Sequence, residues 1–251
     1  MSKALLPSAG LRWWSETELA HREIAVQSLH RVISHNLRSI NSAWSFRRTE
    51  APMLIPRGMV SPAYDGDDVF LLQRKMMGEE LVMRPETTEG SYMRARSLLD
   101  SHGPKSLPLC VWQVGKSFRV EASDGASASR LRYNEFTQAE WQCVYRADTK
   151  ADYRAAVLPE LARTISWLTG RESRILESDR LPGYSNSTLD VEVLRPRSIE
   201  GETRLNWTEM CSVSIRNDFS CEKIPHQLLV LEIAVGVDRV VDVAGEAGVI
   251  S

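Results

Sequence analysis

Apolar positions first recur at helical spacing. Ser15 followed by Glu18 reads as a capping box, and Ile24, Leu29, Val32, Ile33, Leu37 and Ile40 then repeat every three or four residues. A long amphipathic helix is predicted over about 16–42. The stretch Phe46 to Pro56 follows, and Pro52, which cannot donate to a sheet ladder, belongs on an edge or at a strand end. Residues 65–68 are turn-like. Glu80 to Met83 is a short strand candidate entering Arg84-Pro-Glu-Thr-Thr-Glu-Gly90, with a helix expected through Leu99. Two β-rich runs, 107–120 and 131–145, flank a loop of small residues at 122–129 and predict a long antiparallel hairpin. Val157, Leu161, Ile165 and Leu168 form a second helical stripe ended by Gly170, with Pro159 kinking it or marking its first turn. Strand candidates at Leu189–Leu194, Arg204–Met210, Val213–Phe219 and Gln227–Ala234 precede a short helix after Gly236. Strands without regular βαβ alternation point to an α+β chain: a mainly antiparallel sheet flanked by helices, in one domain over 1–251.

Composition changes this picture little. With 43% apolar and 25% charged residues the chain can bury a large core. A net charge of −2 carries no global signal for nucleic acid. The four cysteines lack CxxC spacing, which favours buried free thiols in a reducing cytoplasm. No apolar run is long enough to span a membrane. Trp13, Trp14, Arg12 and Arg22 near the N-terminus are expected to form a hydrophobic staple or partner contact in preference to an RNA contact.

Two arginines carry the chemistry. Phe118-Arg-Val-Glu121 and Leu231-Glu-Ile-Ala-Val-Gly-Val-Asp-Arg239 each place an arginine beside a carboxylate at the end of an apolar strand, which suggests a polyphosphate site. Arg119 and Glu121, two apart on one strand, are expected to face the same side.

Together these segments resemble motifs 2 and 3 of class II aminoacyl-tRNA synthetases. Glycyl-tRNA synthetases are the nearest resemblance, because Val114 to Glu121 with Asn134 to Glu140 is similar to their motif 2. Arg84 to Gly90, Asn206 to Phe219, Ile224-Pro-His226 and Glu232 to Arg239 match further stretches of that family in order. Motif 1 would cover about 20–56, motif 2 about 111–145 and motif 3 about 227–245. The resemblance implies that Arg119 contacts the ATP α-phosphate and the amino-acid carboxylate, and that Arg239 holds the γ-phosphate. Phe136 would stack on adenine with Glu121 near its amino group. Glu209 with Ser212 would hold Mg²⁺. Glu86, Glu140 and Glu232 would receive the substrate ammonium, with Arg216 and Ala234 also in the amino-acid pocket.

The chain departs from the glycyl pattern. Ala234 replaces the family's serine, and Arg130-Leu-Arg-Tyr-Asn-Glu-Phe136 lacks the arginine beside the glutamate, leaving Arg132 as the candidate substitute. Glu209-Met-Cys-Ser-Val-Ser with Asp218-Phe219 also resembles seryl-tRNA synthetases, so the amino acid stays open. Only 240–251 follow motif 3, where glycyl enzymes carry an anticodon-binding domain, so anticodon-reading charging by this chain alone is not expected. The expected activity is ATP-dependent activation of a small amino acid, glycine favoured and serine open, with transfer to tRNA, a carrier protein or another acceptor. A homodimer through the 16–42 helix and the strand ending near Pro56 is expected. The alternative is a non-catalytic paralogue serving as a dimeric RNA- or protein-binding module. Joint retention of Arg119, Glu121, Phe136, Glu209 and Arg239 favours the enzyme.

Overall fold

The computed structural model describes residues 11–64, 66–121, 131–179, 183, 185–199, 202–224 and 227–250. The loop expected at 122–129, Arg130, and Pro225 and His226 of the Ile224-Pro-His226 segment lie outside the described residues. Helix α1 (Glu16–Ile40) begins at the expected capping box: Ser15 Oγ accepts from the Glu18 amide and Glu18 reaches back to the Ser15 amide. Its buried seam is His21, Ala25, Leu29, Ile33 and Leu37, a strict four-residue spacing. Ile24 and Ile40, expected on that stripe, are about half exposed.

The stretch read as one strand near Pro52 is two. Strand β1 (Ser45–Arg48) joins the main sheet, and β2 (Leu54–Pro56) pairs antiparallel with β3 (Leu81–Met83) in a small separate sheet. Helix α2 (Thr88–His102) then leads to β4 (Leu109–Phe118), which forms the long hairpin with β5 (Glu135–Arg146). Arg119 and Glu121 lie just past β4, not on it, although the Arg119 amide still bonds Asn134 O at 3.0 Å.

Helix α3 (Tyr153–Thr169) ends at Gly170, whose backbone is left-handed. Pro159 stands inside α3, past the first turn, and the helix runs on through it. Losing that ladder bond costs about 3 kcal/mol. Burying Val157, Leu161, Ile165 and Leu168 at about 1.5–3 kcal/mol each outweighs it. Strand β6 (Ser173–Glu177) had no sequence signal; it precedes β7 (Ser185–Ile199). The segments Arg204–Met210 and Val213–Phe219 are not separate strands but parts of one, β8 (Glu202–Arg216). Strand β9 (Leu228–Gly236) runs directly into helix α4 (Val237–Glu246).

The seven-stranded sheet has the order β1-β4-β5-β9-β8-β7-β6, antiparallel except for the β1–β4 pair. Strict alternation divides its faces. Trp141, Cys143, Leu231, Ile233, Val235, Val213, Val191 and Val193 point to one side, where α1, α3 and α4 close the main core. The other side is apolar only where α2 packs its Tyr92, Ala95 and Leu99 on Val111, Val144 and Val230. Beyond α2 the same face turns polar and stays open. All four cysteines are buried free thiols. Among the described residues no helix is long and apolar enough to cross a membrane.

Candidate active site

The open face forms a cleft of about 690 Å³, walled by both motif arginines. That volume suits a small-molecule site. Arg119 Nε donates to Pro85 O at 3.1 Å and Nη2 to the Tyr64 hydroxyl at 2.8 Å. Its guanidinium carbon lies 5.2 Å from the centres of both the Tyr64 and Phe136 rings. Arg239, in the first turn of α4, donates to Leu131 O at 3.2 Å and to Glu209 O at 3.1 Å. These bonds use only part of each guanidinium fork. The preceding residue fixes the approach of the two walls: Asp238 Oδ2 accepts from the Thr137 amide at 2.9 Å, tying the start of α4 to β5 beside Phe136. Glu121 lines the cleft and accepts from Arg132 Nη1 at 3.2 Å.

Three carboxylates converge behind Arg119. Glu140 on β5 and Glu232 on β9 both belong to the polar face, and Glu86 enters from the loop before α2. Thr88 Oγ1 stands 3.3 Å from Glu140 Oε2 and 3.3 Å from Glu232 Oε2. Thr87 Oγ1 donates to Glu140 Oε2 at 2.5 Å, and Gln142 Nε2 to Glu232 Oε2 at 2.8 Å. The Tyr64 hydroxyl donates to Glu86 Oε2 at 3.0 Å, and the buried Glu86 Oε1 has no hydrogen-bond partner among the described residues. Burial first, then Glu140 and Glu232, push the Glu86 carboxyl up to about 8. Like charges this close need a cation between them or a proton on one of them.

Arg216, expected in the amino-acid pocket, does not reach the cleft wall. It is 1% exposed and sits behind Glu232, donating to Glu232 Oε2 at 2.6 Å and to Asp218 through Nε at 3.1 Å and Nη2 at 2.6 Å. The Tyr92 hydroxyl holds Asp218 from the other side at 2.9 Å. Buried strand arginine and acid pairs of this kind orient one another, and Arg216 therefore positions Glu232.

A second group of acids lines the far wall: Asp190 and Glu192 on β7 and Glu209 on β8. Glu209 and Ser212, three apart, would face opposite sides of a regular strand. A bulge where Val191 pairs with Cys211 and Glu192 with Glu209 turns Met210 into the core and brings Glu209 to the cleft with Ser212. Glu192 is held by Arg174 at 2.6 Å, and Glu209 stands 3.8 Å from Arg239. Burial, with Glu209 and Glu192 nearby, pushes Asp190 up to about 6. Among the described residues no group of three or more His, Cys, Asp or Glu forms a ready metal cage. A magnesium ion that bridges phosphates takes only one or two protein oxygens, and the exposed Glu209 carboxylate with the Ser212 hydroxyl fits that need.

Of the residues singled out from sequence, Arg119, Arg239, Glu121, Arg132, Phe136, Glu209, Ser212, Glu86, Glu140, Glu232 and Ala234 all line this one cleft. Sequence reasoning missed Tyr64, Thr87, Thr88, Gln142 and Asp190. Gln142 could have been found, because it follows Glu140 by two on β5; Tyr64, in a loop, carried no periodic signal.

In sequence relatives and in solved structures of the same fold, the chain is similar to class II aminoacyl-tRNA synthetases, which supports a class II synthetase-like core. No family model matches the chain. Over 144 residues, 56% of this chain and 29% of the relative, it is 31% identical to a glycine–tRNA ligase of Macrococcus caseolyticus. Over 153 residues it is 29% identical to a glycine–tRNA ligase of Staphylococcus aureus, covering 57% of this chain and 30% of that one. The matched region thus spans about 30% of the length of these curated relatives. Among solved structures, prolyl-tRNA synthetase of Cryptosporidium parvum, complexed with halofuginone and AMPPNP, superposes with a TM-score of 0.66. Identity is 12%, over 94% of this chain and 49% of that one. Prolyl-tRNA synthetase of Giardia lamblia, complexed with prolyl-adenylate, gives 0.66 at 15% identity, over 94% and 48%.

Proposed function

We propose that the chain activates a small amino acid with ATP, forming an aminoacyl-adenylate that is passed to tRNA or another acceptor. Glycine is the favoured amino acid, on the sequence relatives and the carboxylate group; serine remains the second candidate. The observation that supports activation most is that Arg119 and Arg239 line one cleft, together with Glu86, Glu140 and Glu232.

The chemistry is an in-line displacement. A carboxylate oxygen of the amino acid attacks the α-phosphorus while the bond to pyrophosphate breaks, and negative charge grows on the α-phosphoryl oxygens. Arg119 would meet that charge and draw the substrate carboxylate toward it, at a guanidinium already oriented by Pro85 O and Tyr64. Arg239 would hold the γ-phosphate, and Phe136 would carry the adenine. Glu86, Glu140 and Glu232 would take the ammonium, whose charge relieves their mutual repulsion. Magnesium, when bound at Glu209 and Ser212, would offset charge on the leaving pyrophosphate.

ATP–pyrophosphate exchange with purified protein across the twenty amino acids tests this reading. Exchange with one small amino acid is expected, and Arg119→Ala should lower it by about 10²–10³-fold. Folded protein that gives no exchange with any amino acid in the presence of Mg²⁺ would favour a non-catalytic binding module.

A further inference from the structure

The strand register sets four side chains in one row across the cleft floor. Glu140 pairs with Ala234, Ala234 with Ser212, and Ser212 with Asp190, on the adjacent strands β5, β9, β8 and β7. Strands lie roughly 4.8 Å apart, so Asp190 stands about 10 Å along the row from Ala234. Ala234 is the smallest member and leaves the middle of the row open. A substrate with its ammonium among Glu86, Glu140 and Glu232 would carry its α-carbon over this open position.

Asp190 is what the row ends on. Only 8% exposed, it still lines the cleft, and its Oδ1, like Glu86 Oε1 and Asp238 Oδ1, has no hydrogen-bond partner among the described residues. Two of its neighbours stand by a cation: Arg174 lies 2.6 Å from Glu192, and Arg239 lies 3.8 Å from Glu209. Among the described residues Asp190 has no ion pair, and its support is a hydrogen bond from Ser178. A buried carboxylate in a cleft wall that lacks its full set of donors is completed by a ligand that brings one.

Building on the activation reading, we propose that Ser212 and Asp190 form a side-chain subsite for the amino acid. The subsite takes a short side chain ending in a hydrogen-bond donor, and a cationic donor better than a neutral one. Glycine leaves the subsite unfilled, and the side chains the subsite takes are those of short hydroxy and diamino acids.

Exchange assays with glycine, L-alanine, L-serine, L-2,3-diaminopropionate and L-2,4-diaminobutyrate decide the matter. The donor-bearing amino acids should exceed alanine in kcat/KM by ~10-fold or more, because a site built to bond a donor rejects the analogue lacking it. In Asp190→Asn the ratio of diamino acid to serine should collapse, and in Ser212→Ala the ratio of serine to alanine should fall. The Ser212 variant also serves if Asp190→Asn fails to fold, which a circular dichroism melt reports. Alanine matching the donor-bearing substrates would overturn the proposal. So would an Asp190→Asn or Ser212→Ala enzyme that needs more Mg²⁺ for every amino acid alike with unchanged ratios, since that residue would then serve the metal alone. Exchange with no amino acid at all would remove the activation reading itself and the subsite with it.

Discussion

Glu86 shows what one misplaced proton can report. Its carboxyl ordinarily titrates near 4.5 and is pushed up to about 8, by burial first and then by Glu140 and Glu232. Between those values the folded chain holds a proton that the unfolded chain has lost. The associated stability is therefore complete below 4.5 and is lost as pH rises through about 8. The ligand-free protein should show a falling Tm between pH 5 and 8, and Glu86→Gln should flatten that slope. A bound ammonium favours the charged carboxylate, so binding of a glycyl-adenylate analogue at pH 7 should release protons. Calorimetry in phosphate and in Tris would then give different apparent enthalpies; equal values would show that Glu86 does not titrate with the ligand. The resemblance to glycyl-tRNA synthetases flagged Glu86, Glu140 and Glu232. Their convergence, and the placing of Arg216 behind them, depend on strand register and burial that residue types do not encode.

At the scale of elements, close approaches hold the site together. Arg84 is buried and donates to Lys116 O at 2.9 Å, Ala51 O at 2.7 Å and Pro52 O at 3.3 Å, binding the segment before β2 and the strand β4 to the loop that carries Glu86. It passes over Gly115, where an added Cβ would come within 2.2 Å of Arg84 Nη2. Gly115→Ala should therefore destabilise the fold by about 1–3 kcal/mol, seen as a lower urea midpoint. An unchanged midpoint would mean that Arg84 is free to move. The capping box of α1, the left-handed Gly170 and the β4–β5 hairpin were all legible, because each rests on local geometry. Strand β6 and the Met210 bulge were not. A half-exposed edge strand has little hydrophobic alternation to read, and a bulge is chosen by what its partner strand must match.

For the whole molecule, the small β2–β3 sheet and its flanking turns expose Met53, Leu54, Leu71, Met76 and Met77. Apolar surface gathered on one unit marks a contact surface. We expect a homodimer that uses this region with α1. Sedimentation at micromolar concentration should give twice the chain mass, and Leu54→Asp should shift it toward the monomer without changing the circular dichroism spectrum. A monomeric wild type would count against the dimer.

Sequence by itself determined the α+β class, the helical seams and the hairpin, because these follow from periodicity, capping and local chemistry, and its resemblance to known motifs supplied the candidates for an ATP and amino-acid site. Tertiary structure decided which of those residues meet. The order β5-β9-β8-β7 brings Glu140, Ala234, Ser212 and Asp190 into one row although they are drawn from positions 140 to 234 of the chain. Strand order and register are set by how the faces of distant segments pack together, and no single segment contains that information.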